Sequence, residues 1–332
     1  MINLESRDSQ IWNIDKKIIE IIKEGISSDK KIIMSTYGEG VCLRSCHFYD
    51  LLDNICDTFN IDKNRIEITT SNIEEFHSEY KIVILPNIHV KLNQKELINP
   101  KPKNLNLFPV GCFVGKINWA RLALLSWLNQ YPSKSLITCH YKYVDDDSDL
   151  TTKLSLQLND NFLTFPNETE SAVKFLNTCP KLLSTNFKIP YDKMQTITID
   201  DIFNVAVKFS EGYSDIFAEL VCETYFSGFT FFPTEKTFRP IQQLTPFITF
   251  GPRGFLTNLH RCGFKTFGSY WDEGYDECVG VDRILKIKQI LLQLFEIDQP
   301  ALQEMYADMK PILEHNKNRF LELTPEELYL DE

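Results

Sequence analysis

Apolar residues recur along this chain with two different periods, and the switch between them marks out alternating strands and helices. Residues 11–26 place Ile14, Ile18, Ile19, Ile21 and Ile22 at helical spacing among charged neighbours, which predicts an amphipathic helix. The next apolar run, Lys30–Tyr37, predicts a buried strand that ends at Gly38-Glu39-Gly40. A helix is predicted over about 43–60, followed by strands over Ile66–Thr70 and Lys81–His89. Strand, glycine-bearing turn and helix make the first unit of an open α/β sheet, whose ligands sit at the carboxyl ends of the strands. The Gly-Glu-Gly turn is too short for a dinucleotide fingerprint.

Residues 99–109 carry Pro100, Pro102 and Pro109 with no apolar period, and so predict a linker. A second α/β unit begins beyond it, with a strand over Val110–Gly115, a turn and a helix over Ala120–Tyr131. The pattern fades across 143–200. There Asp145, Asp146, Asp147 and Asp149 read as a solvated loop in preference to a metal-binding Asp-x-Asp, and Leu154, Leu156 and Leu158 alternate as in an edge strand. A Pro- and Asn-bearing stretch then runs to Tyr191, and the whole segment reads as an insertion. A helix from Ile199–Ile202 leads back to a buried strand, Leu220-Val221-Cys222, which ends on Glu223. After a loop rich in Gly and aromatics come a helix start at Thr234, a strand over Pro246–Phe250 closed by Gly251-Pro252, and a short helix over 254–262. An apolar helix over 282–295, a more polar one over 299–319 and an acidic tail over 321–332 complete the chain.

The chemistry concentrates at the helix start. Thr234 is a natural N-cap, and it places Glu235 and Lys236 in the first turn. A lysine there opposes the positive end of the helix dipole. A cation beside unpaired backbone N–H groups suits a phosphate, and Glu235 can accept from two sugar hydroxyls. Glu223 is either a ligand-side carboxylate or a strand-end carboxylate bonded to backbone N–H groups. Arg239 reads as an exposed helix arginine and Arg253 as a turn arginine, while His47, His77, His140, His260 and His315 occupy ordinary helix or loop contexts. No Gly-x-Ser-x-Gly, His-Glu-x-x-His or Walker sequence occurs.

The order of these parts resembles the nucleotide-sugar-binding half of GT-B glycosyltransferases, and most closely the α1,3-fucosyltransferase family. That family carries a Glu-Asn strand end and a Tyr-Val-Thr-Glu-Lys segment, where this chain has Cys222-Glu223-Thr224 and Phe232-Pro233-Thr234-Glu235-Lys236. Thr224 in place of Asn and Pro233 in place of Val are the departures. The resemblance implies an α/β, GT-B-like fold of two Rossmann-like domains facing a cleft. These would be an acceptor-side domain over 1–105, a nucleotide-sugar domain over 106–300 with the insertion at about 143–200, and a C-terminal helix and tail over 301–332. It further implies that Glu235 holds the donor ribose, that Lys236 and Arg121 hold the diphosphate, and that Glu223 lies on the donor side. A nucleotide-diphosphate sugar, a GDP-sugar such as GDP-fucose above others, would serve as donor substrate without a metal or other cofactor, and the acceptor would be a glycan or other hydroxyl. The base would come from the facing domain, at a strand's carboxyl end, where Glu39 and His89 stand; Glu39 is preferred because a carboxylate is the base in the family. The alternative is a non-catalytic GT-B-like module that binds a nucleotide sugar or glycan and regulates or scaffolds a partner.

Composition narrows the partners. The chain has 332 residues, and 43% of them are hydrophobic, enough apolar material for two cores. Its 46 acidic and 35 basic residues give a net charge of −11, which argues against a nucleic-acid or anionic-membrane partner. Nine cysteines without Cys-x-x-Cys spacing, several inside apolar runs, read as buried reduced thiols and predict a cytoplasmic protein. No run has signal-peptide character at the N-terminus or approaches the ~18 apolar residues of an integral membrane segment.

Overall fold

The computed structural model describes residues 2–3, 31–35, 40–45, 47–85, 100–114, 118–139, 166–178, 183–184, 212–226 and 228–323. They form a mixed α/β fold with two sheets built mainly of parallel strands, compatible with a Rossmann-like arrangement.

The first sheet holds β1 (Ile2–Asn3), β2 (Ile32–Ser35), β3 (Ile66–Thr70) and β4 (Lys81–Ile84), in that order and all parallel. In β3, Ile66 and Ile68 are fully buried, while Glu67 alternates to the other face and pairs with Lys31 and Lys81. The covering helix α1 (Phe48–Phe59) turns Phe48, Leu52, Ile55 and Cys56 inward at helical spacing. It starts later than its apolar pattern suggests. Leu43–Ser45 form a turn and His47 takes a left-handed backbone (φ 56°), so regular helix begins only at Phe48.

The second sheet is ordered β7-β6-β5-β8-β9, from β5 (Phe108–Val114), β6 (Ser135–Cys139), β7 (Leu183–Ser184), β8 (Ile216–Cys222) and β9 (Phe247–Phe250). Only β7 runs antiparallel to its neighbour. Every residue of β8 and of β9 is buried, as largely apolar runs in a sheet covered on both faces should be, and the burial extends to Glu219 and Thr249. The helices are α2 (Trp119–Leu128), α3 (Pro166–Thr178), α4 (Glu235–Gln242), α5 (Phe255–Arg261), α6 (Gly280–Glu296) and α7 (Gln299–Glu322). Asn118 caps α2 by accepting from the Arg121 N–H, and α6 packs against β5 and β9.

Two parts differ from the sequence pattern. α3 lies inside the segment read as an insertion; it packs against α2, and Ala172 joins the main core. α7 is part of the second unit: Leu302, Met309, Leu313 and Phe320 share that core, and Phe320 meets Phe238 of α4 at a 4.9 Å ring separation. The helix also holds the linker, since Gln299 Nε2 donates to Leu107 O at 2.8 Å. The strand pattern Leu154–Leu158, the Asp145–Asp149 cluster and the helices predicted over 11–26 and from 199 lie outside the described residues.

Candidate functional site

From β5 the chain passes through α2 to β6 on one side, and from β8 it passes through α4 to β9 on the other. Strand order therefore reverses between β5 and β8, and the carboxyl ends of the strands at such a reversal are the usual place for a ligand in an open α/β sheet. Glu223 is the first residue past β8. Its Oε1 accepts from the Thr234 N–H at 3.1 Å and from the Thr237 hydroxyl at 2.6 Å, and its Oε2 accepts from the Thr234 hydroxyl at 2.7 Å. The carboxylate is 2% exposed, so its bonds anchor the first turn of α4 to the end of β8. Of the two roles open to Glu223, the geometry favours the anchoring one.

Thr234 caps α4 through the Lys236 N–H and also accepts from Lys236 Nζ at 3.0 Å. That ammonium lies 3.4 Å from Thr224 Oγ1, 3.1 Å from Glu235 Oε1 and 4.0 Å from Glu223 Oε2. The Glu235 carboxylate stays 46% exposed. Burial raises its pKa, but Lys236 and Arg239 outweigh that and hold it below the usual carboxylate range. Arg121 is buried, and its Nη2 donates to Cys222 O at 3.2 Å and Glu223 O at 2.9 Å. It braces the carboxyl end of β8. Arg121, Glu223, Glu235 and Lys236 thus come together in one run of contacts.

Behind them lies a second charged group. Glu219 points into the protein from the middle of β8, 1% exposed. It accepts from the Tyr213 hydroxyl, and Arg239 Nη2 of α4 stands 3.4 Å from its Oε1 and 3.3 Å from Phe113 O near the end of β5. The partners respond in opposite senses. Burial outweighs Arg239 at Glu219 and pushes its carboxyl up to about 7; at Arg239 burial lowers the pKa, but Tyr213 and Glu219 outweigh it and keep the guanidinium protonated. The sequence reading of Arg239 as an exposed helix residue is therefore corrected: it is held against a buried carboxylate. A glutamate inside the apolar run Phe217–Val221 was the available signal.

The loop between β8 and α4 also meets the carboxyl ends of the first sheet. Asn72, just past β3 and wholly buried, donates from Nδ2 to Phe229 O at 2.9 Å, while its Oδ1 accepts from the Phe231 N–H at 3.4 Å. The Thr230 hydroxyl donates to Gly40 O, beyond β2. Gly40 has φ +66° and a Cβ there would lie 2.9 Å from Phe232 Cβ, so only glycine suits this approach. Ile73 packs on the second unit's core and Tyr225 on the first unit's core. Glu75 supports Asn72 from below: it accepts from Asn72 Nδ2, from the Leu43 N–H at 2.8 Å and from the Tyr49 hydroxyl at 3.1 Å, and burial raises its pKa. Sequence patterns carry no signal for the bonds of Asn72 to Phe229 and Phe231, because these partners lie 157 and 159 positions away along the chain. Glu39 and His89 lie outside the described residues; Glu39 precedes the glycine that meets Thr230 and Phe232.

No helix among the described residues is long and apolar enough to cross a membrane. Cys42, Cys56, Cys112, Cys222 and Cys262 are buried free thiols. Comparison with protein families, with curated proteins and with solved structures finds no match for this chain.

Proposed function

We propose that the chain is an inverting, metal-independent glycosyltransferase of the GT-B type, taking a sugar from a nucleotide-diphosphate donor to a glycan or other hydroxyl acceptor. The observation that supports it is the position of Lys236. Its ammonium stands at the start of α4, at the reversal between β5 and β8, beside the loop that also meets the carboxyl ends of β2 and β3. A ligand there is reached from both sheets.

In the proposed reaction the acceptor oxygen attacks the anomeric carbon as the bond from that carbon to the diphosphate oxygen breaks. Lys236 balances the charge that develops on the leaving diphosphate, with Arg121 as a second cation nearby. The half-exposed Glu235 carboxylate accepts from the ribose hydroxyls, and Glu223 and Thr234 hold the helix start in place. Glu39 takes the acceptor's proton, with His89 as the other candidate. The non-catalytic module remains a second reading for one reason: Glu75, the buried carboxylate of the junction, is already committed to Asn72, Leu43 and Tyr49 and offers no base.

The test is calorimetric titration with GDP, UDP and dTDP, followed by assay of sugar release from the matching donors. Lys236→Ala should weaken nucleotide binding by about 1.5–3 kcal/mol, the worth of hydrogen bonds to a charged group. Unchanged affinity in a folded variant refutes the phosphate role. Donor binding without transfer to any acceptor or to water selects the module.

A further inference from the structure

We infer that Arg239 is a further anion-binding side chain of the proposed nucleotide-diphosphate site, which exchanges Glu219 for a phosphate of the ligand while Glu219 takes up one proton from solvent. The inference rests on the proposed nucleotide-diphosphate site and adds a residue and a proton to it. Arg239 follows Lys236 by three residues, so the two cations rise from one face of α4. Its Nη2 also touches Phe113 O, which sets the guanidinium across the gap between α4 and the end of β5.

The Glu219–Arg239 pair is asymmetric. The arginine side chain keeps 17% of its surface exposed, against 1% for the glutamate. At 3.4 Å the contact is longer than the roughly 2.7–2.9 Å of a well-formed charge-assisted bond. Around Glu219 stand the Tyr213 hydroxyl, Arg239, the Lys103 amine from the linker, which burial brings down to about 7, the Glu223 carboxylate just past the same strand and the Cys112 thiol on β5. Lys103 is already bound to Tyr213 O, Ile216 O and Thr245 Oγ1, so it does not replace Arg239 as a close partner. A buried carboxylate that loses its cation is strongly unfavourable unless it is neutralised. Burial has already brought Glu219 to about 7, so protonation near neutral pH demands little. A diphosphate, with at least two negative charges, is the better partner for Arg239. The balance is one ligand anion and one proton taken up, one Arg239–phosphate pair formed and one Glu219–Arg239 pair broken.

Calorimetry of GDP, UDP and inorganic pyrophosphate binding, repeated in buffers of different ionisation enthalpy at pH 7.5, tests this. The wild-type protein should take up roughly 0.7 proton more per site than Glu219→Gln, a difference that cancels the ligand's own ionisation. Arg239→Gln should weaken binding about tenfold or more and remove the same proton uptake. If Glu219→Gln fails to fold, the Arg239→Gln comparison carries the test alone. Anion binding that is indifferent to Arg239, or whose proton uptake survives both substitutions, overturns the inference and leaves the role of Lys236 standing. No binding of any of the three anions overturns both.

Discussion

Replacing Glu219 by glutamine should change how the stability of the fold depends on pH, independent of any ligand. The carboxylate is enclosed within β8, and burial raises its pKa from the ordinary 4.5 to about 7 against the opposing pull of Arg239 and Tyr213. The folded state therefore binds a proton that the unfolded state has released between those two values. The contribution of Glu219 to stability is full below about 4.5 and is lost as pH rises through 7. A difference of about 2.5 pH units at ~1.36 kcal/mol each amounts to roughly 3 kcal/mol. Glutamine is nearly isosteric and does not titrate, and its own packing offset is constant with pH. The difference in unfolding free energy between Glu219→Gln and wild type should thus move in favour of the variant by about 3 kcal/mol from pH 4.5 to 7.5, then level off. Urea denaturation of both proteins at half-unit pH intervals measures it. A difference that stays flat across that window refutes the claim that burial outweighs Arg239 at this carboxylate.

Asn72→Ala removes bonds to Phe229 O, the Phe231 N–H and Glu75 in a fully buried place, so urea denaturation should show a loss of about 2–4 kcal/mol, one to three kcal/mol for each group left unsatisfied being partly relieved by relaxation. Glu39→Gln should lower turnover by ~10²–10⁴-fold with nearly constant nucleotide affinity if Glu39 is the base; normal turnover moves the role to His89, tested by the same pair of measurements. Transfer activity should persist in EDTA; loss on chelation with recovery in Mn²⁺ or Mg²⁺ would redirect attention to Asp145–Asp149.

The sequence determined the parts whose information is local. The run Ile66–Thr70 is β3 to the residue, and apolar runs located the end of β8, at Leu220–Cys222, and β9. Thr234 caps α4 with Glu235 and Lys236 in the first turn, because a hydroxyl three residues or fewer from the N–H groups it accepts needs no distant partner. α3 was not legible: it is largely polar, and its helical form is stabilised by packing on α2. Only the tertiary structure decided between the two roles of Glu223, whose three bonds go to residues eleven and fourteen positions away. The same holds for Asn72, which bonds across 157 and 159 positions, and for Arg239, whose Phe113 contact spans 126. Spacing along the chain fixes which face of an element a side chain occupies. Which buried group meets that face depends on how the sheets are ordered and how their loops meet, and it is there that burial sets the charge of Glu219.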